Sequence, residues 1–283
     1  MPRSVVTPSY FYPGATDSWA RLVKAAMYVS VVLLNPDSGP GAERLQDFAT
    51  VVQQSQAAGI KVLGYIASGY GTRAIADLVS EINLYSGWYG VDGIFVDEMN
   101  AVDTSKVQFY QQIHDAVKGS AGQVLDSASS IQLIFNPGQP VVPEAYLPLA
   151  DIFLTFEGSA ESYQSFSAAD YTLNYAPSKF WHVVYRCSSN ATIDATLSQF
   201  NSRHAEYLYI TDLDEPNPYY SLPAENTWAQ LLAYIASTGP GPGPGVRPTS
   251  IAPVSGSSIL RSDPAVLCVL AVLTLTAVLA GVA

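Results

Sequence analysis

Three short apolar runs in this chain end on carboxylates: GIFVDE on Asp97 and Glu98, LTFE on Glu157, and YITD on Asp212. A lone acid in that place is ordinary, because such residues cap loops and helix N-termini. That reading is strongest for Asp212, which opens a DLDEPNP turn. Several together suit a different task. Hydrolysis of a glycosidic bond needs one carboxylic acid to protonate the leaving oxygen and one carboxylate to stabilise or attack the oxocarbenium-like centre. Where the sugar carries an acetamido group, that group can be the nucleophile, with an Asp orienting it and a Glu acting as the acid. Glu98 and Glu157 are the candidate pair, and Asp97 the candidate third group. Adjacent strand residues point to opposite sides, so Asp97 and Glu98 can serve one site only if the strand ends between them.

Other chemistries lack their residues. His114, His182 and His204 fall on separate expected elements without metal-ligand spacing, and no G-x-S-x-G string occurs. Cys268 lies in a terminal apolar run, leaving Cys187 alone in the body of the chain, where it reads as a small buried hydrophobe. No metal, cofactor or disulfide framework is expected.

The elements that must position the carboxylates follow from hydrophobic periodicity. Apolar runs at Val5–Tyr12, Tyr28–Leu34, Lys61–Ile66, Gly93–Asp97, Ile131–Phe135, Asp151–Phe156, Phe180–Tyr185 and Glu206–Ile210 read as strands. Most are followed by helical spacing, clearest in Ile75, Leu78, Ile82 and Tyr85, and in Val107, Tyr110, Ile113 and Val117. About eight β-then-α units in about 235 residues is the arithmetic of an α/β fold of the (β/α)8 barrel type. A doubly wound sheet is the alternative, but the turn after the first strand reads YPGATDS, without the Gly-rich phosphate fingerprint.

In such a barrel the chemistry sits at the C-terminal ends of the strands. The polar residues expected there are Tyr10, Tyr12, Asn35, Tyr65, Asp97, Glu98, Asn136, Glu157, Tyr185, Arg186 and Asp212. One strand separates the fourth from the sixth, so Glu98 and Glu157 start about 9–10 Å apart at the backbone, and converging side chains can close that to a catalytic distance. Tyr10, Tyr12, Tyr65, Tyr70 and Tyr185 are expected to offer stacking faces and hydroxyls to sugars, with core packing claiming at least one of them.

Composition agrees with a large core and a non-nucleic partner. Of 283 residues 48% are hydrophobic and only 13% charged, which excludes a disordered acidic chain. With 13 Lys and Arg against 24 Asp and Glu, the formal charge of -11 has the wrong sign for a phosphate backbone. The expected partner is a neutral or cationic polysaccharide, a partly deacetylated polymer included, and the expected state is a monomer.

The barrel is expected over residues 1–238, a Pro/Gly/Ser-rich linker over 239–264 and an apolar tail over 265–283. Small residues at Ser255, Gly256 and Ser257, a polar spacer and an uncharged terminal tail match a glycosylphosphatidylinositol-anchor signal. A tail-anchored membrane helix is the alternative, and the absence of a following Lys or Arg favours the lipid anchor. Such an anchor requires the secretory pathway, although MPRSVVTPSYFYPG contains no apolar run of about 7–15 residues. The succession of linker, spacer and apolar terminus outweighs that, and the sequon Asn190-Ala191-Thr192 agrees with a lumenal route. The expected location is extracellular, at the cell surface or wall and membrane-attached through the C-terminus.

Taken in order, YFYPG, VVLLNPDSGPG, VLGYIASGYGTR, WYGVDGIFVDE, LIFNPG, LTFE and YITDLDEPNPYYSLP resemble the spherulation-specific family 4 proteins, also called spherulin 4-like cell-surface proteins. The resemblance runs from about Val5 to Ile235 and is most specific in WYGVDGIFVDE and the NPDSGPG loop. It implies a (β/α)8 glycoside hydrolase that cleaves α-1,4-linked N-acetylgalactosamine in galactosaminogalactan. It also implies that the acidic pair closing the fourth strand and the glutamate closing the sixth are the essential carboxylates, here Asp97, Glu98 and Glu157. The rival readings are a non-catalytic surface carbohydrate-binding or developmental protein on the same barrel, and a polysaccharide deacetylase, whose usual need for a metal the scattered histidines do not meet.

Overall fold

The computed structural model describes residues 3–119 and 132–238. Its eight strands are β1 (Ser4–Ser9), β2 (Val29–Leu34), β3 (Lys61–Ala67), β4 (Gly93–Asp97), β5 (Gln132–Phe135), β6 (Ile152–Ser159), β7 (Phe180–Tyr185) and β8 (Tyr207–Ile210). They are all parallel and close in sequence order, with β1 pairing to β8. Strands buried on both faces should read as near-continuous apolar runs, and β2 is the clearest case, with only Ser30 less than fully buried.

Helices α1 (Ser18–Lys24), α2 (Gln46–Ala57), α3 (Ile75–Tyr89), α4 (Val107–Lys118), α5 (Ala160–Ser165), α6 (Asn190–Phe200) and α7 (Glu225–Thr238) surround the barrel. Each of the longer ones buries the stripe its spacing marks: Leu78, Ile82 and Tyr85 in α3, Tyr110, Ile113 and Val117 in α4, Trp228, Leu231 and Ile235 in α7. Two glycines make the β3–β4 region possible. A Cβ at Gly64 would lie 2.5 Å from the buried Tyr85 ring, and one at Gly93 would lie 1.9 Å from the Gln132 carbonyl oxygen. Helix α3 therefore packs directly on the backbone of β3, and β4 approaches β5 where no side chain fits. Cys187 is fully buried, and burial pushes its thiol up to about 12.

The structure departs from the sequence reading in three places. β1 ends at Ser9, so Tyr10 and Tyr12 belong to the loop that follows it. β6 runs on past Phe156 to Ser159, which places Glu157 inside the strand rather than after it. The β5–β6 connection carries a 3-10 helix, Glu144–Leu149, in place of an α-helix; Pro148 within it lacks the N–H that a longer helix would require. The expected linker at 239–264 and tail at 265–283, with Ser255, Gly256 and Ser257, lie outside the described residues. Among the described residues no helix is long and apolar enough to cross a membrane.

Candidate active site

β4 stops at Asp97, and the chain turns through Glu98 with φ of 54°, a left-handed conformation uncommon for a residue with a side chain. That turn is what lets neighbours face one cavity: both residues line a cleft of about 300 Å³ together with Tyr70, Met99, Asn136 and Glu157. The strained residue is clamped from β3's loop, its carbonyl accepting from the Tyr70 N–H at 2.8 Å and from the Ser68 hydroxyl at 2.7 Å. Tyr70 has its own φ of 54° and is 60% exposed, an aromatic face held open beside the carboxylates. Left-handed residues cost about 1–3 kcal/mol and collect at functional sites.

Asp97 accepts three hydrogen bonds. Its Oδ1 receives the Glu98 N–H and Asn136 Nδ2, each at 2.9 Å, and its Oδ2 receives the Tyr65 hydroxyl at 2.8 Å. Asn136, buried just after β5, donates from the same Nδ2 to Glu157 Oε2 at 2.9 Å. The Asp97 and Glu157 oxygens are thus no further apart than twice that distance. The other Glu157 oxygen accepts a hydrogen bond from the Tyr219 hydroxyl. Glu157 opens to solvent through the cleft, but the barrel wall encloses the rest of it. Loss of water raises its carboxyl above the usual range, with the nearby Asp97 charge adding and the Tyr219 and Asn136 hydrogen bonds opposing. The Glu98 carboxyl takes no hydrogen bond or ion pair from a described residue.

Behind the carboxylates runs an arc of three tyrosines. Tyr10 meets Tyr65 and Tyr219 edge-on, both at 5.5 Å between centroids. The arc walls a second concavity of about 490 Å³, shared with Asn35, Asp37 and Asn217. The two hollows share the tyrosine wall: Tyr65 and Tyr219 line the second while their hydroxyls hold acids that line the first.

Of the residues marked in the sequence, Asp97, Glu98, Asn136, Glu157 and Tyr70 line the first cleft, and Tyr10, Asn35 and Tyr65 the second. The other four, expected to bind substrate, are not among the lining residues of either hollow, and each is held by a partner elsewhere. Tyr12 sits edge-on to Phe48 with its hydroxyl 3.5 Å from Asp47. Tyr185 donates to Glu215 at 2.9 Å, and Arg186 pairs with Asp214. Asp212 accepts the Ala224 N–H at 2.8 Å at the start of α7, which is the loop-capping role. Sequence reasoning missed Tyr219, which lies well beyond the end of β8 although its motif, DEPNPYYSLP, was in view.

A further hollow of about 460 Å³ around Arg3, Asn201 and Glu206 lies where β1 and β8 begin, on the face opposite the carboxylates. The histidines take part in packing. His182 is buried against the Tyr163 hydroxyl and its pKa is depressed by burial to about 3; His114 and His204 bond the carbonyls of Leu149 and Tyr175. Among the described residues no group of three or more His, Cys, Asp or Glu is placed to hold a metal ion. Asn190 is exposed at the first position of α6, its Oδ1 accepting from Asn226 and Gln230.

The fold is shared with Sph3 of Aspergillus clavatus, solved in complex with GalNAc, at a TM-score of 0.69 and 23% identity over 83% of this chain and 98% of that one. It is also shared with an endo-β-N-acetylglucosaminidase of Cordyceps militaris, at a TM-score of 0.54 and 14% identity over 84% and 92% of the two chains. Spherulin-4 of Physarum polycephalum is 32% identical over 165 residues, which is 57% of this chain; the chain spans 46% of that relative's length. A match to spherulation-specific family 4 covers residues 4–235, all eight strands of the barrel included, and the chain belongs to that family.

Proposed function

We propose that the protein is an endo-acting glycoside hydrolase that cleaves α-1,4-linked N-acetylgalactosamine in a galactosaminogalactan-type polysaccharide. The observation that carries the reading is the bridged pair of carboxylates, Asp97 and Glu157, held by one Asn136 amide at a barrel mouth with Glu98 beside them. Two acids placed so close in different surroundings divide the labour that glycosidic cleavage requires. Glu157, whose carboxyl retains its proton more readily than an ordinary glutamate, is the general acid toward the leaving oxygen. Asp97, fixed by three donors, faces the anomeric centre or orients the acetamido group, and Glu98 is left free to meet substrate or water. Tyr70, Tyr10 and Tyr65 offer faces and hydroxyls to the sugars. Family membership and the Sph3 complex with GalNAc support the choice of sugar.

The same reading places the protein at the cell surface as a barrel over 1–238, a linker over 239–264 and a tail over 265–283 exchanged for a lipid anchor near Ser255, Gly256 and Ser257, with Asn190 available for glycosylation. The order of small residues, spacer and uncharged tail supports this. The test of the activity is product sizing after incubation of the purified protein with galactosaminogalactan and a panel of other wall glycans. Short oligosaccharides from the first support the reading; intact polymer in every sample removes it.

A further inference from the structure

Tyr219 is held more firmly than a loop residue needs to be. It is 7% exposed, its N–H donates to Asn217 Oδ1 at 3.0 Å, and its carbonyl accepts the Tyr10 N–H at 3.2 Å. Its ring packs edge-on against Tyr10 and is tilted against Tyr209 of β8 at 6.3 Å. Together these constraints aim one hydroxyl at Glu157 Oε1. Packing alone would be served by phenylalanine. A hydroxyl is worth keeping here because a charge-assisted hydrogen bond, walled off from water on the ring side, both orients the carboxyl and favours its ionised form.

We propose that Tyr219 is a positioning residue for the reaction, the donor that fixes the Glu157 carboxyl and sets the balance between its two protonation states. The proposal rests on the reading of Glu157 as a reacting group. Asn136 holds the opposite oxygen but divides its amide between Glu157 and Asp97, so it fixes the distance between the two acids. Tyr219 bonds Glu157 and not Asp97, and it distinguishes one acid from the other. On the far side of the arc Tyr65 performs the matching act for Asp97. The titratable groups around Glu157 are Asp97 and Glu98 from β4 and its turn, Tyr70 from the β3–α3 loop, Glu215 and Tyr219 from the β8–α7 loop, Tyr10 after β1, Tyr65 of β3 and, further off, Tyr185 of β7. All are acids or phenols, so the ionised carboxyl depends on hydrogen-bond donors for support.

The experiment is a ¹³C NMR titration of the Glu157 side-chain carboxyl in the wild type and in Tyr219→Phe, with Glu157→Gln used to assign the signal. Phenylalanine keeps the ring and its packing. The Glu157 midpoint is expected to rise by about one pH unit when the donor is lost. The limb of the kcat/KM profile that reports Glu157 should move the same way, and kcat should fall by about 10–100-fold with little change in KM. Tyr65→Phe, which removes the corresponding donor from Asp97, should leave the Glu157 midpoint in place. An unchanged midpoint in a folded Tyr219→Phe protein overturns the proposal even if the wild type hydrolyses polysaccharide. A shifted midpoint in a protein that hydrolyses none of the glycans keeps Tyr219 as the fixing donor and removes the functional reading instead.

Discussion

The sharpest perturbation of this site is Asn136→Asp. Asn136 is pinned independently of its amide nitrogen: its N–H donates to the Val96 carbonyl at 2.9 Å, its carbonyl accepts the Met99 N–H at 2.9 Å, and its Oδ1 accepts the Gly138 N–H at 3.0 Å. An isosteric aspartate keeps all three bonds. The change is that an oxygen replaces the Nδ2 that now donates to Asp97 and Glu157 at 2.9 Å each. Two unit charges at that separation, with an effective permittivity of about 20, repel by about 6 kcal/mol, or about four pKa units. Three carboxylates so placed cannot all ionise, and at least one proton is trapped among them at neutral pH. Initial rates of reducing-end release should fall by at least about a hundredfold near neutrality. The deficit should narrow as the pH drops, because the introduced carboxyl regains one donor when it is protonated. The control Asn136→Ala loses both donors without adding charge, and its deficit should vary less with pH. Asn136→Asp activity within about threefold of wild type at neutral pH, with both proteins folded, refutes the account of Asn136 as a bridge between two working acids.

Further outcomes are expected. Glu98→Gln and Glu157→Gln should each lower turnover by about a hundredfold or more with the fold intact, measured on the same substrate. Because the folded protein raises the Glu157 pKa, ionised Glu157 weakens the fold as the pH climbs through that raised value; Glu157→Gln should therefore melt no lower than wild type at neutral pH, and any advantage should vanish below the ordinary glutamate range. Gly64→Ala should cost about 1–3 kcal/mol in denaturant unfolding, since its methyl would meet the buried Tyr85 ring, whose hydroxyl is bonded to the Leu34 carbonyl. Intact-mass analysis of native protein should find a chain ending near Ser255 to Ser257 and a product released by phosphatidylinositol-specific phospholipase; a chain still ending at Ala283 contradicts the anchor.

The architecture was legible because a parallel barrel buries its strands on both faces and its helices on one, and both habits leave periodic traces. The ranges of β4 and β7 could be read directly, since Gly93 and Phe180 open apolar runs that stop at Asp97 and Tyr185. Where the trace fades the reading fell short. β6 continues through Glu157-Gly158-Ser159, residues of low strand propensity that pair with Val183, Val184 and Tyr185 of β7, so tertiary pairing overrides local preference. The left-handed turn at Glu98 has no local signal either, because the usual marker is glycine and the conformation is imposed by hydrogen bonds from Ser68 and Tyr70 on the neighbouring strand's loop.

For the site, position at a strand's end indicates nearness to the barrel mouth but says nothing about direction. Asp212 and Asn136 both stand just after a strand, β8 and β5 respectively, yet one caps α7 while the other reaches across two acids. What separates them is register. Val96 pairs with Phe135 and Ala67 with Asp97, which sets Asn136 beside Asp97 on one flank and the end of β3 on the other. Each side-chain donor to the two bridged acids comes from a different element: Tyr65 from β3, Asn136 after β5, and Tyr219 from the β8–α7 loop. A linear reading groups the acids by their place at strand ends, but it does not show which donors hold each of them. The division of roles between Asp97 and Glu157 resides in donors that are distant in sequence, and it exists only once the barrel closes.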